Sequence, residues 1–273
     1  MPELPEVETV RRVLCRRVLD RRIEQVEVLE RRLRMPVALD FASRLEGRTI
    51  RELRRRAKYL IACLDDDCVW IVHLGMSGKL IAVPPDRPRE RHDHLVLRLA
   101  GPLELRFHDP RRFGLAVVLA PNELAAWPPF RSLGPDPLVD GLDPEDLWHR
   151  VHASGRSIKD LLMDQGVVAG LGNIYVNEVL ARAGVRPAAR ACRLPRATVE
   201  RIASEIPLLL QEAVRWCGTT FSDYRDGDDR AGEFQRHLRV YGRTGEPCRS
   251  CGTAIRRSAR GNRGTFYCPR CQK

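Results

Sequence analysis

A multidomain α+β chain is the fold this sequence predicts, and three observations predict it. Residues 23–119 run in short alternating or β-branched stretches. Residues 145–216 carry helical periodicity. The last 35 residues contain two Cys-x2-Cys pairs. The expected organisation is an N-terminal β-sandwich with a flanking helix over 1–120 and a proline-rich linker over 121–144. A helical domain with a loop follows over 145–235, then a four-cysteine zinc module over 236–273.

The chain opens Met1-Pro2-Glu3-Leu4-Pro5-Glu6-Val7-Glu8. Met is commonly removed before a small residue, which would leave the secondary amine of Pro2 at the terminus. A terminal amine has a pKa of roughly 8 against roughly 10.4 for Lys, so roughly a third is neutral near pH 7.5. Only the neutral amine attacks carbon to form a Schiff base. Glu3 and Glu6 lie within a few residues for acid–base work. A plainer reading is a helix start, where Pro and carboxylates are favoured.

Residues 5–19 place Val7, Val10, Val13, Leu14 and Val18 at helical spacing among arginines, which predicts an amphipathic helix. Strands are predicted over 23–29, 59–64, 69–74, 95–99, 103–107 and 115–119. Turns such as Asp65-Asp66-Asp67 and Ala100-Gly101-Pro102 separate them. This pattern is an antiparallel sandwich. Helices are predicted over 145–152, 158–163, 174–183 and 198–217, and a mobile loop over 219–235.

The chain has 273 residues and a formal net charge of +11. Residues 236–273 hold ten Lys or Arg against the single acid Glu246, which points to a polyanionic partner. Only four of the 47 basic residues are lysines: Lys58, Lys79, Lys159 and Lys273. Lys58 closes the arginine run Arg54-Arg55-Arg56. No export signal and no membrane span are expected, and nine cysteines without a signal suit a reducing cytosol. Cys15, Cys63, Cys68, Cys192 and Cys217 are expected to be buried free thiols.

Cys248, Cys251, Cys268 and Cys271 have the spacing of a zinc ribbon, with sixteen residues between the pairs. Four thiolates close the coordination sphere, so one structural Zn2+ is expected. The arginine-loaded hairpin 255–264 between them suits DNA backbone contact. His73-Leu74-Gly75-Met76-Ser77-Gly78 and Asp109-Pro110-Arg111-Arg112-Phe113-Gly114 are tight loops with protruding Met, Arg and Phe. Such side chains can wedge into a base stack, though each loop could also be a packed hairpin. Gly170-Leu171-Gly172-Asn173 precedes a helix and could hold a phosphate, with Asn173 as a cap or a contact. His92-Asp93-His94 lacks a third metal ligand.

These motifs together resemble the bacterial formamidopyrimidine-DNA glycosylases, which remove oxidised purines from DNA. The likeness runs through Pro-Glu-Leu-Pro-Glu, Arg-Ala-Lys-Tyr, His-Leu-Gly-Met-Ser-Gly, Asp-Pro-Arg-Arg-Phe-Gly, Gly-Asn-Ile-Tyr, Val-Tyr-Gly-Arg and the four cysteines. The resemblance implies a β-sandwich and a helix–two-turns–helix domain ending in a zinc finger, with duplex DNA bound between them. It implies Pro2 as nucleophile, Glu3 as proton donor, Glu6 as a structural or proton-handling carboxylate, and Lys58 as a catalytic or phosphate-positioning base. Met76, Arg111 and Phe113 would fill the gap in the duplex. His73, Lys159, Asn173 and Arg263 would grip phosphates. A monomeric, cytoplasmic repair enzyme acting by glycosylase and β,δ-elimination steps on 8-oxoguanine and formamidopyrimidines is the implied whole.

Two features depart from the family pattern. The loop over 219–235 is longer and more acidic, through Asp226-Gly227-Asp228-Asp229, and Cys217 stands where Gly is frequent. Rival readings are a pyrimidine-directed enzyme of the endonuclease VIII type, a non-catalytic damage-binding protein, and a zinc-ribbon regulator. Leu4 and Arg111-Arg112-Phe113 disfavour the first. Pro2, Glu3 and Lys58 disfavour the second. The third leaves the N-terminal domain without a purpose.

Overall fold

The computed structural model describes residues 2–220, 225–260 and 263–273. The chain divides into two compact units, Met1–Arg131 with Val214–Gln235, and Ser132–Ala213 with Arg236–Lys273.

In chain order the first unit holds helix α1 (Leu4–Val18), strand β1 (Ile23–Val28), helix α2 (Phe41–Leu45), and strands β2 (Ile50–Arg56), β3 (Tyr59–Leu64), β4 (Val69–His73), β5 (Lys79–Val83), β6 (Asp93–Leu99), β7 (Leu103–His108) and β8 (Leu115–Leu119). Two short helices, α3 (Pro121–Ala126) and α4 (Pro128–Arg131), close it. The strands form two antiparallel four-stranded sheets, β1-β6-β7-β5 and β2-β3-β4-β8. Alternation decides which face each residue takes. Leu60, Ala62 and Leu64 join Leu95, Leu97, Leu103, Leu105 and Phe107 in one core. Val7, Val10, Leu14 and Val18 of α1 enter the same core on a single helical stripe.

The intervening Ile61 and Ile71 point the other way, into a second cluster with Leu115 and Trp127. Residues 121–131, expected to be linker, are therefore two helices beside that outer face. Pro121 and Pro128 each stand at a helix start, where a missing N–H costs nothing. Strands β2 and β5 were not legible in the sequence. In β2 the arginines mask the alternation: Arg55 is buried because Glu8 and the Ala57 carbonyl receive its guanidinium.

Residues 214–235 pack with the first unit, which differs from the expected boundary of 145–235. The reason is a set of long-range bonds. The Thr219 N–H donates to Glu6 Oε1 (2.7 Å), and the Ala82 N–H on β5 donates to the Gly227 carbonyl (2.9 Å). Arg17 meets Asp228 at 2.6 Å and Arg87 meets Asp229 at 2.8 Å. The described parts of the predicted mobile loop are thus tied down, 219–220 through Thr219 and 225–235 through the acidic turn. Residues 221–224 of that loop lie outside the described residues, as do Met1, Gly261 and Asn262.

The second unit carries α5 (Pro144–His152), α6 (Ile158–Leu162), α7 (Asn173–Arg182) and most of α8 (Arg196–Arg215), followed by the hairpin β9 (Arg256–Arg260) and β10 (Arg263–Tyr267). Asp143 caps α5 and Ser157 caps α6, each accepting an N–H of the first turn. No helix among the described residues is long and apolar enough to cross a membrane.

The five lone thiols are not buried as expected. Cys15, Cys63, Cys68 and Cys192 are half-buried and Cys217 is exposed. Cys217 has φ +58°, the left-handed conformation that explains why Gly suits this position after a helix.

Candidate active site and nucleic-acid interface

Pro2 and Glu3 lead directly into α1, and both are buried. Glu6 ties the start of the chain to Thr219 through the two oxygens of its carboxylate. Its Oε2 accepts from the Glu3 N–H (2.8 Å) and its Oε1 from the Thr219 N–H (2.7 Å). Gly218 has φ +76°, and a Cβ there would lie 2.7 Å from Glu6 Oε1. Glycine at 218 therefore lets the 214–220 segment close on the carboxylate. Glu6 orients the backbone that carries Pro2 and Glu3.

Lys58 is buried in the two-residue turn between β2 and β3. Ala57 beside it takes φ +52°, as a tight hairpin of this length requires. That turn is fixed to α1 by a polar chain: Arg55 donates to the Ala57 carbonyl (3.0 Å) and to Glu8 Oε2 (3.2 Å). Burial opposes ionisation of Glu8, but Arg11, Arg12 and Arg55 outweigh it and hold its pKa at about 2. The brace between α1 and the Lys58 turn is charged at any working pH.

The two Gly-rich loops come together. Met76 follows β4 and is 39% exposed, and Phe113 precedes β8 and is 46% exposed. The Arg111 guanidinium lies 4.8 Å from the Phe113 ring centre. Gly75 has φ +65°, and a Cβ there would lie 2.4 Å from the Phe113 carbonyl carbon, so the loops touch backbone to backbone. Asp109, fully buried, accepts from Ser77 Oγ (2.7 Å) and from the Gly114 N–H (2.7 Å).

His73 ends β4. Its Nδ1 accepts from the Gly75 N–H (3.0 Å), so the ring proton sits on Nε2. Burial, with Lys58 and Arg34 nearby, pushes its pKa down to about 3. His73 is a neutral donor.

In the second unit, Lys159 on α6 is buried with Nζ donating to the Gly264 carbonyl (3.0 Å) and to Thr265 Oγ1 (2.7 Å). Burial lowers its pKa to about 8; Asp160 opposes that shift and Arg263 adds to it. Asn173 is the first residue of α7, with Gly172 in the cap position. Its Nδ2 donates to the same Gly264 carbonyl (3.1 Å). Arg263 is exposed at the start of β10, above Met163. Lys159, Arg263 and Arg156 line a recess of about 300 Å³ with Met163, Asp160 and Asp164. Three residues named from separate stretches of sequence, Lys159, Asn173 and Arg263, thus converge on one hairpin.

Cys248, Cys251, Cys268 and Cys271 bring their sulfurs within 4.8 Å of one another. Cys248 and Cys271 are 3.9 Å apart and Cys251 and Cys268 3.5 Å. Tetrahedral Zn–S bonds of about 2.3 Å place sulfurs roughly 3.8 Å apart, so the cluster fits one zinc ion and leaves no position open. His92 and His94 adjoin each other, but among the described residues only the four cysteines form a metal-binding group.

Family models match nearly the whole chain: "Formamidopyrimidine-DNA glycosylase N-terminal domain" over 1–116, "Formamidopyrimidine-DNA glycosylase H2TH domain" over 133–225, and "Zinc finger found in FPG and IleRS" over 245–273. A formamidopyrimidine-DNA glycosylase of Thioalkalivibrio sulfidiphilus is 46% identical over all of both chains. The chain belongs to the formamidopyrimidine-DNA glycosylase family. It is an oxidised-purine DNA glycosylase with abasic-site lyase activity and one structural Zn2+. Among solved structures, Lactococcus lactis Fpg in complex with abasic-site DNA is 36% identical with a TM-score of 0.92, covering 99% of each chain. The same bacterium's enzyme with Fapy-dG DNA is 35% identical with a TM-score of 0.90, covering 99% of this chain and 100% of that one.

Several residues that shape this glycosylase were not singled out by sequence reasoning. Thr219 and Gly218 hold Glu6, and Thr265 holds Lys159. Glu178, fully buried on α7, accepts the N–H groups of Arg239, Val240 and Tyr241 (2.7, 2.9 and 2.8 Å) and so fixes the Val-Tyr-Gly-Arg segment. Leaving those three donors without a partner would cost roughly 1–3 kcal/mol each. The carboxylate inside Asn-Ile-Tyr-Val-Asn-Glu was the one available signal.

Proposed function

We propose that the chain, with Met1 removed, excises 8-oxoguanine and formamidopyrimidines from duplex DNA through Pro2. The observation that carries this reading is the buried start of α1, where Pro2 and Glu3 lie side by side and the Glu6 carboxylate holds the Glu3 N–H. The neutral Pro2 nitrogen attacks C1′, the bond from C1′ to the base breaks, and the proton that the nitrogen sheds goes to the departing base. Glu3 protonates the sugar ring oxygen as the ring opens, and the nitrogen lone pair forms the double bond to C1′, giving the iminium ion. Loss of a C2′ proton expels the 3′ phosphate, and a further elimination expels the 5′ phosphate. Lys58 positions a phosphate of the flipped nucleotide, and Glu6 keeps Pro2 and Glu3 in line.

The DNA contacts follow the same division of labour. Met76, Arg111 and Phe113 fill the space of the extruded base, and Arg111 reaches the opposite base. His73, Lys159, Asn173 and Arg263 hold backbone phosphates. The enzyme acts as a monomer in the cytoplasm, on nucleoid DNA. The direct test is cleavage of a duplex with one 8-oxoguanine opposite cytosine. Products ending in phosphate on both sides of the gap are expected; an intact duplex refutes the reading.

The wedge should separate recognition from chemistry. Phe113→Ala or Arg111→Ala is expected to slow excision from duplex DNA, where unstacking must be stabilised, and to change cleavage of a preformed abasic site much less. Single-turnover rates on both substrates decide it. Equal loss on both would make these loops purely structural.

Phosphate contacts should differ in salt response. Arg263→Ala is expected to weaken binding to lesion and undamaged duplex alike, and to reduce the slope of log affinity against log salt by about 0.9. His73→Ala should weaken binding with the slope unchanged, because a neutral imidazole displaces no counterion. Lys159 is charged below its pKa of about 8, so affinity should fall as pH rises between about 7 and 9. Lys159→Arg should flatten that fall. A wild-type affinity constant across that range would remove Lys159 from phosphate binding.

A further inference from the structure

We propose that Asp109 is a positioning residue that joins the two intercalating loops into one wedge and thereby sets discrimination of the base opposite the lesion. The inference rests on the wedge reading of Met76, Arg111 and Phe113.

Asp109 is fully buried, yet no cationic side chain pairs with it among the described residues. A buried carboxylate without a counter-charge is expensive unless hydrogen bonds hold it. Its donors are neutral, and each adjoins or belongs to an intercalating residue. Ser77, which donates to Oδ1 at 2.7 Å, follows Met76. The Gly114 N–H, which donates to Oδ2 at 2.7 Å, follows Phe113. The Arg111 N–H is shared between Oδ1 and Ser77 Oγ at 3.3 Å each.

The Asp109 backbone is itself anchored. Its carbonyl accepts from His94 Nε2 (2.7 Å) on β6, and its N–H donates to the His92 carbonyl (3.0 Å). Gly75 brings its backbone close enough to Phe113 and Gly114 that a side chain there would have no room, so the two loops are in direct contact. Hydrogen bonds to a charged acceptor are roughly twice as strong as neutral ones, so the carboxylate is the stiff element of the assembly. Arg111 extends from the N–H held by Asp109, so its direction toward the opposite base depends on that bond.

The test uses the full-length zinc-bound enzyme. Asp109→Asn keeps the size of the side chain but sets an amide N–H against donors that need an acceptor. Ser77→Ala removes only the hydroxyl link between the loops. Single-turnover excision of 8-oxoguanine opposite C and opposite A is measured beside cleavage of a preformed abasic site. Asp109→Asn is expected to slow duplex excision about tenfold, with a smaller loss for Ser77→Ala. Both should narrow the C-over-A preference and leave abasic cleavage within about twofold. In an Arg111→Ala/Phe113→Ala background, Asp109→Asn should add little further loss, as expected of coupled residues.

Equal loss on both substrates, a full additional loss in that background, or unchanged excision would each overturn the proposal. If Asp109→Asn does not fold, Ser77→Ala decides alone by the same criteria. The underlying reading is checked separately by Phe113→Ala. A Phe113→Ala enzyme that loses both activities equally refutes the wedge itself. One that loses only duplex excision while Asp109→Asn and Ser77→Ala behave as wild type refutes only the role of Asp109.

Discussion

Pro2→Gly is expected to bind lesion-containing DNA and to lose most strand cutting. Glycine keeps a terminal amine but lacks the ring, so the nucleophile changes while the helix start behind it does not. Glu6 still accepts the Glu3 N–H and Thr219 N–H, which preserves the local backbone. Borohydride should trap the wild-type protein on the DNA, because an iminium ion is reducible, and peptide mapping should place the adduct on Pro2. An adduct on Lys58 would reassign the nucleophile. Glu3→Gln should retain binding and lower single-turnover excision by about 10²- to 10⁴-fold, the usual contribution of a positioned proton donor.

Removing zinc is expected to unfold the C-terminal module and abolish DNA binding. The cluster that packs this module has three buried members: Val240, Ile255 and Cys268. Burying side chains of that kind contributes roughly 1.5–3 kcal/mol each, well below the roughly 10–16 kcal/mol of apparent binding free energy at a finger-type zinc site. The metal term therefore dominates. Thr265 on β10 holds Lys159, and Gly264 holds Lys159 and Asn173, so the arrangement proposed to bind phosphate should fail with the hairpin. Cys251→Ser should give the same result, with the sandwich core still folded by circular dichroism. A zinc-free protein that cleaves DNA at the normal rate would contradict this.

Much of the fold was legible because its signals are local. The predicted helices of the second unit fall within two residues of α5 to α8, since caps and 3.6-residue periodicity are short-range properties. The cysteine spacing was legible for the same reason. Strand β2 was not, because the charge partner of its buried Arg55 is Glu8, 47 residues away. The 214–235 segment was assigned to the helical domain because nothing local announces its bonds to Glu6, Arg17, Ala82 and Arg87.

The sequence by itself determined which groups this protein can bring to chemistry: a proline at position 2 with adjacent carboxylates, an isolated lysine in an arginine run, two Gly-rich loops carrying Met, Arg and Phe, and four thiolates. Those depend on residue type and spacing, which folding does not change. Only the tertiary structure decided how the groups are set against one another. It made His73 neutral and left Lys159 with a pKa of about 8, because burial and neighbouring charges govern ionisation. It joined Met76 to Phe113 through Asp109, and Lys159 to Asn173 through Gly264. Such pairings bridge tens of residues of chain, and they arise when a folded core brings loops of unrelated sequence within hydrogen-bond reach.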